Sequence, residues 1–108
     1  MTTKPESLPV IFRMESTGRG TASPLAIFPT LPGTSDPNSA TCYAHIGQHG
    51  TLDRGYAASC RLATPEEYAP LLAELRRIYE TGDDAVSLQI VKRWTRHHDA
   101  ARIKELRR

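Results

Sequence analysis

Long apolar runs are missing from this chain, and with them any stretch that could span a bilayer as a helix. Aromatic residues make up 6% of the 108 residues and the apolar share is 39%, so one domain with a single modest core is expected. Cysteine is scarce. Cys42 and Cys60 are too few for a disulfide framework. The opening MTTKPESLP has no apolar stretch of the signal-peptide kind. No membrane partner is therefore expected, and the expected compartment is the cytoplasm, with both thiols reduced. Internal repeats and low-complexity tracts are absent too.

Charge is nearly balanced, at net +2, but unevenly placed. Residues 1–84 carry 7 basic and 10 acidic groups, and residues 85–108 carry 7 basic and 2 acidic, plus His97 and His98. A cationic end of this kind points to an acidic partner.

The clearest local signal runs from Thr64 to Gly82. Thr64 and Glu67 have capping-box spacing, and Pro65 falls at the first helical position, where its missing N–H costs nothing. Tyr68, Leu71, Leu72, Leu75, Ile78 and Tyr79 form one helical stripe, and Gly82 supplies a stop. Pro70 is expected to disturb the first turns. Upstream, Leu8, Val10, Phe12 and Met14 alternate with Pro9, Ile11, Arg13 and Glu15 as in a half-buried strand. A second short strand is expected at Leu25–Phe28, stopped by Pro29. A third is expected at Thr41–Gly47, with Cys42, Ala44 and Ile46 toward the helix and Tyr43 and His45 away from it. Residues 48–62 stay ambiguous. After the helix, Val86 to Trp94 reads as the clearest strand.

The expected fold class is α+β: a small three- to four-stranded sheet in the order β-β-β-α-β, one main helix on one face, and a basic C-terminal tail or short helix. The expected division is a disordered leader at 1–6, a single α+β domain at 7–95 and a basic tail at 96–108. The reverse sheet face, with Ile11, Tyr43, His45, Gln89 and Val91, would have no helix over it unless the tail folds back. Tyr43, His45, Gln89 and Val91 are therefore candidates for a partner or homodimer surface.

Ile27-Phe28-Pro29, Tyr43-Ala44-His45, Gly47-Gln48-His49-Gly50 and Pro65-Glu66-Glu67-Tyr68 form a recognisable set. Across residues 8–94 the chain resembles a group of short uncharacterised bacterial proteins encoded among phage-like or conjugative-element genes. That resemblance implies a small mobile-element protein acting on nucleic acid or on host machinery.

Five constellations could carry chemistry or binding. Cys42, His45, His49 and Asp53 read C-x2-H-x3-H-x3-D, and thiolate and imidazole suit zinc. The spacing matches no standard finger, and a core cysteine with edge histidines explains the same residues. No cofactor is expected, zinc being the one metal this set would suit. In Gly47-Gln48-His49-Gly50, His49 could serve as a base oriented by Asp53, with Cys42 or Cys60 as nucleophile; a tight turn accounts for the same glycines. Ser16–Ser23, with Arg19, could hold phosphate but lacks the Lys-Ser/Thr ending of a P-loop, and reads as a hairpin loop. The basic segment comprises Lys92, Arg93, Arg96, Arg102, Lys104, Arg107 and Arg108, with Trp94 or Tyr43 as rings on which a base could stack. Glu66, Glu67, Glu74, Glu80, Asp83 and Asp84 read as a helix's solvent face, or as a docking surface for a basic protein.

Three functional readings follow. The favoured one is a non-enzymatic interaction protein that contacts nucleic acid, or a nucleic-acid-binding complex, through its basic end. The second is a protein-binding inhibitor or adaptor, of an anti-defence or anti-CRISPR-like kind, using the uncovered sheet face. The third is a metal- or thiol-dependent enzyme centred on Cys42, His45, His49 and Asp53.

Overall fold

The alternation from Leu8 onward builds the strand on which the molecule is assembled. In the computed structural model, which describes residues 7–16, 20–44, 48–83 and 85–107, nine elements follow one another: β1 (Leu8–Ser16), β2 (Ala22–Pro32), β3 (Ser39–Ala44), β4 (Gln48–Asp53), α1 (Arg54–Ser59), β5 (Arg61–Leu62), α2 (Pro65–Tyr79), β6 (Leu88–Ile90) and α3 (Arg96–Leu106). The fold is α+β, with a long helix on one face of a sheet. The sheet has six strands in the order β4-β3-β2-β1-β5, with β6 also paired to β1. All pairs are antiparallel except β6 on β1. The leader at 1–6, Arg19, His45, Ile46, Gly47, Asp84 and Arg108 lie outside the described residues.

The central strand faces two cores. Leu8, Val10 and Phe12 join Phe28, Tyr43, Leu71 and Leu75 beneath α2. On the other face Ile11 packs with Leu25, Ile27, Leu52 and Ala57, flanked by Val91 and Trp94. Sheet sides thus alternate residue by residue, as the pleat requires.

Helix α2 begins as its sequence predicts. Thr64 is the N-cap, its hydroxyl accepting from the Glu67 N–H while the Glu67 carboxylate accepts from the Thr64 N–H. Arg61 adds a forked pair onto Glu67, at 2.9 and 2.7 Å. That pair and the cap hold the Glu67 carboxyl down at about 2. Pro70 sits inside the helix, where the bond back to Glu66 is lost, yet α2 continues to Tyr79. Gly82 then turns the chain with φ +91°, a left-handed value that L side chains rarely adopt.

Strand β2 is longer than its prolines imply. It runs through Pro24 and Pro29 to Pro32. The register against β3 shifts between Phe28 and Pro32, and a residue without an N–H is tolerated at such an irregularity. Strand β4 was hidden by its glycine: Gly50 lies opposite Cys42 in the β3–β4 ladder, so the stretch that reads as a turn is half of a hairpin.

The orientation of β3 reverses the expectation. Tyr43 points to α2 and is 3% exposed, while Cys42 and Ala44 lie against the opposite cluster. The pairing sets this: Tyr43 sits opposite Ala26, whose small side chain leaves room for the ring, and its hydroxyl donates to the Glu74 carboxylate. A large side chain, and not a run of small ones, fills the space under the helix.

The Val86–Trp94 stretch is strand only at Leu88–Ile90. Antiparallel β5 already occupies β1 at Arg13 and Met14, so the last strand pairs only with Leu8, Pro9 and Val10. Beyond it the chain crosses over, and Val91 and Trp94 pack on the face away from α2. The parallel partner is thus β1.

Of the two expectations for the C-terminal segment, a tail or a short helix, the helix is what forms: Arg96–Leu106 make α3, which lies along β2 and, with α1 and Trp94, covers the reverse sheet side. Among the described residues no helix is long and apolar enough to cross a membrane.

Candidate nucleic-acid interface

The docking of α3 decides which cations of the basic segment face outward. The helix starts at Thr95, whose hydroxyl accepts from the His98 N–H at 3.3 Å, while the His98 Nδ1 accepts from the Thr95 N–H at 3.1 Å. Asp99 follows in the first turn, where a negative charge suits the helix dipole. It accepts from Trp94 Nε1 at 2.7 Å and Arg102 Nη2 at 2.9 Å, and it pairs with Arg54. Burial by itself would raise the Asp99 carboxyl, but these donors hold it below the usual carboxylate range.

Arg102 is the anchor. It is 1% exposed, donates to the Pro29 carbonyl at 2.7 Å and the Pro37 carbonyl at 2.8 Å, and lies 5.1 Å from the Trp94 ring centre. The guanidinium counted as a nucleic-acid contact is thus turned inward and committed, because the carbonyl oxygens around the β2 irregularity need a donor in that position.

The remaining cations are outside. Lys92, Arg93, Arg96, Lys104 and Arg107 are exposed, and among the described residues none of them is ion-paired. Arg96, Lys104 and Arg107 recur at a spacing that places them along the solvent side of α3, opposite Arg102. Lys92 and Arg93 border a second feature, a groove of about 270 Å³ whose lining also includes Arg13 and the Asp99-paired Arg54 and, among the described residues, no carboxylate. Neither arginine belongs to the basic segment. No local motif marks them; only the topology, which lays β1 and the start of α1 beside the 92–94 crossover, could have found them.

Acidic groups gather elsewhere. Glu66, Glu67, Glu74, Glu80 and Asp83 lie in α2 and just after it, across the sheet from α3. The sheet therefore separates a face with acidic excess from a face with basic excess. Such a field steers an anionic partner to one side.

The other candidate residues are scattered. Cys42 lies on the α1 side of the sheet, whereas His49 packs on the α2 side, edge-on to Tyr43 and bonded to the Tyr79 hydroxyl at 2.7 Å. Asp53 is the N-cap of α1, accepting from the Tyr56 N–H. Among the described residues no three His, Cys, Asp or Glu side chains come together as a metal site; His45 lies outside them. Burial pushes the Cys42 thiol up, away from the thiolate, and Cys60 is buried. Of the partner face, Tyr43 is buried under α2, Val91 packs on the reverse-face core and Gln89 is exposed on β6. No family model, no curated protein and no solved structure matches the chain.

The cap on α3 makes a pH prediction. Burial lowers the His98 pKa below its ordinary 6.5, opposed by the nearby Asp99 charge. A base with a depressed folded pKa stabilises the fold above its unfolded value and ceases to do so as pH falls through the folded one. Wild-type stability is thus expected to decline as pH drops below 6.5. His98→Gln, which keeps the capping geometry, is expected to flatten that decline in urea melts taken across the range. An unchanged slope in the variant would assign the pH dependence to other groups.

Proposed function

We propose that this is a non-enzymatic interaction protein that contacts nucleic acid through α3 and the segment leading into it. One observation carries the reading: five exposed cations without ion pairs among the described residues lie in and around α3 and on the crossover that leads into it. Lysine and arginine neutralise backbone phosphates and release condensed counterions. A role in a phage-like or conjugative element belongs to the same proposal and rests on the sequence resemblance.

The test is fluorescence anisotropy with a short labelled duplex of arbitrary sequence. Binding is expected at low salt, with log affinity falling against log salt at a slope of about −2 to −4, as neutralisation of a few phosphates dictates. Arg96→Gln with Lys104→Gln is expected to lower the magnitude of that slope by about two. Absence of binding at low salt would remove this reading.

A further inference from the structure

Four cations converge on one groove, and among the described residues no tryptophan, tyrosine or phenylalanine ring on that side is free of a protein partner. We infer that the groove edged by Arg13, Arg54, Lys92 and Arg93 seats the sugar–phosphate backbone, and that this surface takes double- and single-stranded nucleic acid alike, without stacking bases; this rests on the reading just given.

The groove is shaped for an anion. Its floor is Ala57 and Ala58 of α1, small enough to let a phosphate approach, and its walls are cationic. Two of the four are held in place by the protein. Arg13 Nη1 donates to the Cys60 carbonyl at 2.5 Å; Arg54 Nη2 donates to the Trp94 carbonyl at 2.9 Å while its Nη1 pairs with Asp99, so Arg54 contributes position and hydrogen-bond donors more than net charge. A guanidinium whose position is fixed in advance loses less freedom when it meets a phosphate. Lys92 and Arg93, both exposed, supply the charges that carry no ion pair among the described residues.

Sequence-tolerant binders of single strands use open aromatic faces. Here Trp94 has the Arg102 guanidinium 5.1 Å and the Arg54 guanidinium 5.5 Å from its ring centre, and its Nε1 is held by Asp99. Tyr43 and Phe28 are buried beneath α2, and Tyr68 stacks on Phe12 at 4.3 Å. Tyr79 bonds His49 on that same face. Tyr56 keeps exposed surface, at 42%, but its hydroxyl is held by the Glu15 carboxylate, an anion that repels phosphate. Among the described residues the cationic side thus offers charge with no unpartnered tryptophan or tyrosine for stacking, and the His97 imidazole on α3 is the one exposed ring without a hydrogen-bond or ring partner.

The experiment uses the full chain, labelled duplex and labelled single strand of equal length, and two readouts: anisotropy and the emission of Trp94, the only tryptophan. Wild type is expected to bind both forms within about threefold of each other, since phosphates are the shared feature, and Trp94 emission should change on binding. Lys92→Gln with Arg93→Gln, both exposed positions, is expected to reduce the magnitude of the salt slope by about two and weaken binding about tenfold at low salt for both forms. Tyr56→Leu is expected to leave both affinities unchanged. If wild type binds but the double variant keeps its slope and its Trp94 response, the groove is not the seat, and contact through α3 stands alone. A single strand held more than about tenfold tighter, with that preference lost in Tyr56→Leu, would show base stacking and overturn the inference. Failure of wild type to bind either strand removes this inference together with the function it refines.

Discussion

Arg102→Ala is expected to cost about 3–5 kcal/mol of folding free energy, the range for removing one partner of a buried charge pair. Three acceptors lose a donor at once: the Pro29 and Pro37 carbonyls and the Asp99 carboxylate. The first two sit at and just after the irregular end of β2, so the loss loosens both α3 and the strand it lies on. A single buried backbone acceptor left dry costs about 1–3 kcal/mol. Asp99 keeps Trp94 and Arg54, which limits the damage there. Arg102→Lys is not expected to rescue, because one ammonium cannot reproduce the planar fork that spans these acceptors. Urea unfolding followed by Trp94 fluorescence measures the loss. A cost below about 1 kcal/mol would mean that the guanidinium is solvated and not an anchor.

The second large effect lies in the other core. Phe12→Ala is expected to cost about 3–5 kcal/mol, the range for emptying an aromatic core site. Phe12 is 2% exposed and stacks on Tyr68 with ring centres 4.3 Å apart. It is therefore the joint between β1 and the first turns of α2. For a domain whose whole stability is about 5–15 kcal/mol, that loss should lower Tm by about 15 °C or more. Phe12→Leu keeps most of the volume and is expected to cost less than half as much. Calorimetry on the two variants tests this; equal losses would show that the stacking geometry, and not the filled volume, holds the helix.

These two residues also show what could be read in advance. Phe12 was legible because strand alternation depends only on its neighbours in sequence. So was α2, whose Thr64–Glu67 cap and apolar stripe are local. Arg102 was not, because its partners are in a loop and a strand about seventy residues earlier and nothing near it distinguishes an anchor from a surface cation. Its phase on α3, shared with half-buried Asp99, Ile103 and Leu106, is the one hint. The bare reverse face followed from the same blind spot: without the inward turn of Arg102, folding the terminal residues back over it was only an alternative. Tyr43 was placed on the wrong side because the parity of β3 is fixed by its register with Ala26, a long-range fact. At the proposed interface, Lys92, Arg93, Arg96, Lys104 and Arg107 could be named from charge alone. Arg13 and Arg54 join them only through the sheet order.

Chemical-shift mapping of the backbone amides during titration with an unlabelled duplex tests the central claim most directly. The expected result is a continuous set of shifts over residues 92–107 and around Arg13 and Arg54, shrinking as salt is raised, with α2 silent. Shifts concentrated on α2 or on the Tyr43–His49 edge, or none at all at low salt, would contradict it.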